Sequence, residues 1–158
     1  MIHGGGKFIV STEAKWYEKY IGFPFLHLGN DPYTGIDCGN LVRYIYKQEL
    51  GIELPYDSAD FCNILDDDWY NKTHNKPFEQ VGVLKYGWEK INSFPDVFNV
   101  ITLTIGSTNC TNHCAIYVDK NRILHTMTEH ESWIAPYGRY YQQYTTGIYK
   151  WNPVHIQV

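Results

Sequence analysis

Apolar residues recur at helical spacing in the first half of this chain and in short, turn-bounded runs in the second. In "DCGNLVRYIYKQELG", residues 37–51, Leu41, Val42, Ile45 and Tyr46 follow one another at the spacing of one buried helical face. Asp37 ahead of them is a good N-cap, and Gly51 behind them is a good stop, so a helix is predicted from Asp37 to near Gly51. "STEAKWYEKYIG" has a Ser/Thr start, Glu13 in its first turn and Gly22 as a stop, which predicts a helix over 12–21. "YDSADFCNILDDDWYN" offers Asp57 or Ser58 as a cap and Phe61, Ile64, Leu65 and Trp69 as an apolar face, predicting a third helix. After the polar "NKTHNKP" the character changes. "DVFNVITLTIG", "HCAIYVD", "RILHTMT", "ESWIAPY" and "TTGIYKW" are β-branched and aromatic runs broken by turn residues, which predict an antiparallel sheet. Helices followed by a sheet make the expected class α+β.

Composition narrows the function classes. With 158 residues, 44% hydrophobic and 16% aromatic, the chain can bury a real core, and the absence of repeats or Pro/Gly linkers predicts a single domain over 1–158. A net charge of −4 with scattered basic residues excludes an electrostatic footprint for nucleic acid. The opening "MIHGGGKFIV" lacks a basic region followed by a long apolar run, and no segment approaches the length of a membrane span. A soluble chain without a signal peptide is expected, so Cys38, Cys62, Cys110 and Cys114 are expected as free thiols.

Cys38 carries the candidate chemistry. A thiol at a helix N-terminus sits where unpaired N–H groups and the helix dipole favour the thiolate and any oxyanion formed beside it. The competing reading is a small hydrophobe that merely packs there. A nucleophile needs a base, and "NHCAIYVDKNRILHTM" holds two histidines on consecutive predicted strands. Alternation puts His113, Ala115 and Tyr117 on one face. A three-residue loop, Asp119-Lys120-Asn121, pairs Val118 with Arg122 and His113 with Met127, making His113 and His125 diagonal same-face neighbours roughly 7 Å apart at the backbone. Asn121 suits the left-handed third position of such a loop.

These two stretches resemble the NlpC/P60 family of papain-like cell-wall cysteine peptidases, above all its phage tail and cell-wall hydrolase branch. The likeness runs from about Tyr17 to Tyr149. It implies a papain-like fold with N-terminal helices packed on an antiparallel sheet. It also implies Cys38 as nucleophile, His113 as general base and His125 as the residue that orients the base. The implied reaction is hydrolysis of an amide in the peptide stem of peptidoglycan through an acyl-enzyme, with no cofactor, no metal and no membrane. The implied setting is a phage virion, with tail-tip or hub proteins as partners. Asp37, Phe25, His27, Gly39 and Asn40 are the expected oxyanion or substrate-side residues. Three of them depart from the family pattern: Gly39-Asn40 replaces the usual Ser-Gly, and Phe25 stands where a tyrosine hydroxyl commonly approaches the oxyanion. His27 or Tyr33 is the candidate substitute for that hydroxyl.

Two rival classes follow from the residues. Cys110, His113 and Cys114 could ligate zinc, although alternation sends His113 and Cys114 to opposite faces. A peptidase fold retained as a weakly active or inactive structural subunit of a tail tip is the other, motivated by Phe25 and Gly39.

Overall fold

Among the described residues, six antiparallel strands in the order β3-β8-β4-β5-β6-β7 form one sheet, the platform for the site. They are β3 (Trp88–Lys90), β4 (Val100–Leu103), β5 (His113–Asp119), β6 (Arg122–His125), β7 (Trp133–Pro136) and β8 (Thr145–Trp151). A computed structural model describes residues 15–60, 86–106 and 110–152 of the chain. Pro136 lies on the edge strand β7, where a missing N–H breaks no ladder.

The sheet is buried on both faces because β4 and β5 are apolar at consecutive positions. Cys114, Ile116 and Val118 meet Leu41, Val42 and Ile45 of the helix α1 (Cys38–Ile45), and Tyr46 just beyond it, in one cluster, while Ala115 and Tyr117 join Ile101, Leu103 and Ile123 in the other. All four apolar residues read as the helical face are buried. Burying each contributes about 1.5–3 kcal/mol. The helix continues as one wide turn, Tyr46–Leu50, and ends at Gly51, whose φ of 66° is the left-handed C-cap that glycine adopts without strain. The α+β class and the antiparallel sheet agree with the sequence pattern.

The expected helix over 12–21 is not formed in its described part. A single 3-10 turn, Glu18–Tyr20, gives way to extended Ile21. Tyr17 and Tyr20 are both buried there, and the chain is instead tied across the molecule by Gly22 N–H donating to the Ser132 carbonyl at 2.9 Å. The third predicted helix falls mostly on 61–69, outside the described residues; ahead of them the described chain forms a single 3-10 turn, Ser58–Asp60.

The segment before α1 contains a two-stranded ribbon, β1 (Asn30–Asp31) on β2 (Gly35–Ile36). Asp31 Oδ1 closes its turn by accepting from the N–H groups of Tyr33 and Thr34 at 2.7 and 3.0 Å. Gly29 and Gly35 allow the close crossing: a Cβ on Gly29 would lie 2.4 Å from the Gly35 carbonyl oxygen. Strand β3 and a short helix α2 (Arg139–Gln143) are further elements without a clear pattern in the sequence. Among the described residues no helix is long and apolar enough to cross a membrane.

Candidate active site

Cys38 is the first residue of α1 and half-buried, with Asp37 capping the helix. The Asp37 carboxylate accepts from three donors: Asn40 N–H at 2.8 Å, the Ser58 hydroxyl at 2.6 Å and Leu28 N–H at 3.1 Å. The Asn40 side chain completes the scaffold. Its Nδ2 donates to the Gly29 carbonyl at 2.9 Å, and its Oδ1 accepts from Ser58 N–H at 3.2 Å and Arg43 Nη1 at 3.3 Å. Asp37 and Asn40 therefore fasten the loop before the helix and the Ser58 turn to the first turn of α1. Asp37 is only 6% exposed. Burial first, and the neighbouring Cys38 charge second, push its carboxyl up to about 7, against the three donors.

The thiol faces strand β5. Hydrogen bonds with Cys114 and with His113, together with the charge of His113, hold the Cys38 thiol well below its ordinary range despite burial. Cys114 shifts the opposite way, raised by donating to Cys38 and by its own burial. The two shifts run in opposite directions, so of the two thiols Cys38 is the one that ionises more readily.

His113 is bound on its other side. Its Nε2 lies 2.7 Å from His125 Nδ1. His125 is 0% exposed, stacked on Trp133 with centroids 3.9 Å apart and met edge-on by Tyr141 at 5.3 Å. Burial first, then the charges of His113 and His130, push its pKa down to about 2. A neutral His125 accepting at Nδ1 requires the proton on His113 Nε2, which leaves His113 Nδ1 free to take the thiol proton. The proton of His125 is then on Nε2, a buried atom with no partner among the described residues.

The register that joins the two histidines is the expected one, but the turn is not. Ile116 pairs with Leu124 and Tyr117 with Ile123, and the hairpin then closes with Asp119 opposite Arg122. The loop is Lys120-Asn121 alone, with φ of 43° and 61°, both left-handed as a twist-matched two-residue turn requires. The register shift between Tyr117 and Asp119 leaves Val118 as the extra residue of a bulge, and it restores the face that an even-residue loop would have reversed.

The remaining candidates are dispersed. Phe25 and His27 are half-buried on the loop held by Asp37, and Tyr33 is 84% exposed at the ribbon turn. Gly39 lies under Ser58. Cys110 is buried and donates to the Thr111 carbonyl at 3.4 Å, and among the described residues no group of three His, Cys, Asp or Glu side chains is arranged to hold a metal. Sequence reasoning missed Cys114 and Ser58. Cys114 shares a strand face with Ile116 and Val118, the face on which the Cys38 helix packs, so that signal was available; Ser58 had none.

Comparison with known proteins gives this fold its relatives. The chain is 26% identical over 118 residues to tail tip assembly protein K of Escherichia phage N15, covering 75% of this chain and 46% of that protein. It is 53% identical over 38 residues to gamma-DL-glutamyl hydrolase of Bacillus subtilis (strain 168), covering 24% of this chain and 9% of that one. It spans less than half the length of either of these curated relatives. Two solved structures illustrate the shared fold. One is the NlpC/p60 domain of the peptidoglycan hydrolase SagA, with TM-score 0.51, 21% identity and coverage of 94% of this chain and 99% of that one. The other is an NlpC/P60 family protein from Bacillus cereus ATCC 10987, with TM-score 0.56, 18% identity and coverage of 86% and 38%. The family model for NlpC/P60 matches residues 22–150, a span that runs from the loop before α1 into β8, and the chain belongs to the NlpC/P60 family.

Proposed function

We propose that this chain is a cysteine amidohydrolase that cleaves an amide bond in the peptide stem of peptidoglycan, with Cys38 and His113 as catalytic residues and His125 as the positioning residue. The observation that carries the reading is the hydrogen-bonded series Cys38–His113–His125, in which a helix-terminal thiol is held below its ordinary range and the His113–His125 bond is 2.7 Å.

The chemistry follows from the geometry. His113 Nδ1 takes the thiol proton, and the sulfur attacks the amide carbonyl to form a tetrahedral oxyanion. The Cys38 N–H at the helix N-terminus donates to that oxyanion. The His113 imidazolium then protonates the leaving amine, and water hydrolyses the thioester. His125 holds His113 in the productive tautomer and accepts from it throughout. Phe25 supplies no hydroxyl to the oxyanion; the absence of one donor lowers the rate by about 10²–10³ without removing the mechanism.

Support for the substrate class comes from the fold shared with the domain of a protein named as a peptidoglycan hydrolase, and from the local match to a gamma-DL-glutamyl hydrolase. Support for a virion setting comes from the longer match to a tail tip assembly protein. That match also favours a second reading, a tail-tip structural subunit with little or no activity. Digestion of purified peptidoglycan by the wild type and Cys38→Ala separates the two. Stem-peptide fragments released by the wild type alone support the hydrolase; no release by either supports the structural subunit.

A further inference from the structure

Gly39 follows the candidate nucleophile directly, and a side chain there would run into the Ser58 hydroxyl. A Cβ built on Gly39 lies 2.7 Å from Ser58 Oγ, and 3.8 Å from both Ser58 Cβ and Asp37 Oδ1. The Ser58 hydroxyl donates to that same Asp37 Oδ1 at 2.6 Å, and the Ser58 N–H reaches Asn40 Oδ1 at 3.2 Å. The Ser58 turn is therefore seated on the first turn of α1, in the volume that a residue-39 side chain would fill.

We propose that Ser58 is a positioning residue of the Cys38 site: seated over Gly39, its hydroxyl holds the Asp37 cap as a carboxylate and sets the pH range over which the adjacent thiolate reacts. Two of the three donors to Asp37 are backbone N–H groups fixed by the helix and by the preceding loop. Ser58 is the third, the one donor of the set that belongs to a side chain. The ionisable groups around Asp37 are Cys38 on its own helix, Cys114 on β5 and, beside Cys38, His113; Arg43 reaches Asn40 one turn on. Burial and the Cys38 charge already lift the Asp37 carboxyl to about 7, and the Ser58 hydrogen bond opposes them. Without that bond the carboxyl is protonated through neutral pH, and its charge no longer opposes the thiolate.

Turnover enters this inference only through the reading of Cys38 as nucleophile, so the test is made on the thiol itself. The rate of Cys38 alkylation by iodoacetamide, with the modified residue identified by mass, is measured from about pH 5 to 9 on the full chain. The inflection due to Asp37 should move up by roughly one to two pH units in Ser58→Ala, the size expected for one hydrogen bond to a charged group. Gly39→Ala should reproduce this shift, because the new methyl displaces the hydroxyl from Asp37. Gly39→Ala/Ser58→Ala should add nothing further, as two routes to the same loss require. Gly39→Ser/Ser58→Ala should return the inflection towards wild type, since the residue-39 Cβ then meets only a methyl group at position 58, at ordinary contact, and its hydroxyl can reach Asp37. A Ser58→Ala profile that superimposes on wild type overturns the proposal. So does a folded Gly39→Ser/Ser58→Ala protein that keeps the Ser58→Ala profile. A wild type inert on peptidoglycan that still shows the shifts removes the hydrolase reading and leaves the role of Ser58 standing.

Discussion

Replacing His125 by leucine removes the acceptor for His113 Nε2 while nearly filling the space of the ring. His113 is 4% exposed and His125 is 0% exposed, so water cannot take the place of the 2.7 Å bond. A hydrogen bond to a charged group is worth about 1.5–3 kcal/mol, and the bond matters most when His113 becomes an imidazolium during the reaction. At about 1.36 kcal/mol per tenfold, kcat should fall about 10- to 150-fold. KM should change little, because a fully buried ring cannot touch the substrate. His125→Asn is the matched rescue: its Oδ1 stands where imidazole Nδ1 stood, so it should stay within about tenfold of wild type. Alanine is the poorer probe, since the cavity between Trp133 and Tyr141 would cost about 2–4 kcal/mol of stability on its own. The assay is release of soluble stem-peptide fragments under initial-rate conditions, with thermal melts run alongside. A folded His125→Leu protein with kcat within about twofold of wild type would refute the reasoning.

Three further outcomes follow from the structure. Cys114→Ala removes the donor that contributes most to lowering the Cys38 thiol, so the alkylation profile of Cys38 should move to higher pH, whereas Cys114→Ser should move it less; an unchanged Cys114→Ala profile would contradict that role of the Cys114 hydrogen bond. Asp37 has a folded pKa of about 7 against an ordinary 3.8, so its contribution to stability is fully present below about pH 4 and lost as pH rises through 7. Denaturant melts of Asp37→Asn should lose that decline, on the order of 4 kcal/mol between the limits, and an unaltered slope would show that Asp37 titrates normally. At the hairpin, Asn121→Gly should be neutral or stabilising by melting temperature, and Asn121→Val should cost about 1–2 kcal/mol, because Asn121 has φ of 61°.

The parts of the fold that were legible in the sequence are those where local chemistry and tertiary packing agree. Asp37, Gly51 and the Leu41/Val42/Ile45 face define α1 from both ends and from one side, and five strands follow from β-branched runs with turn residues between them. The segment before Gly22 has helix-start signals yet buries Tyr17 and Tyr20 from a 3-10 turn, since aromatic anchoring to the core outweighs weak propensity. The ribbon at Asn30–Ile36 and the three-residue β3 are too short for periodicity to register. The approach of His113 to His125 was legible through strand parity, but for a turn one residue too long: the Val118 bulge adds what the two-residue loop lacks, and no residue type marks a bulge of this kind. Ser58 reaches the site from an element separated from it in sequence, through a steric exchange with Gly39 that only the three-dimensional packing reveals.

Mass analysis of purified peptidoglycan digested by the wild type and by Cys38→Ala tests the central claim most directly. The account predicts that the wild type releases peptides with a newly formed amine and carboxyl at one stem-peptide amide, and that Cys38→Ala, equally folded, releases none. Equal release by both proteins, or intact stem peptides after prolonged digestion with the wild type, would contradict it.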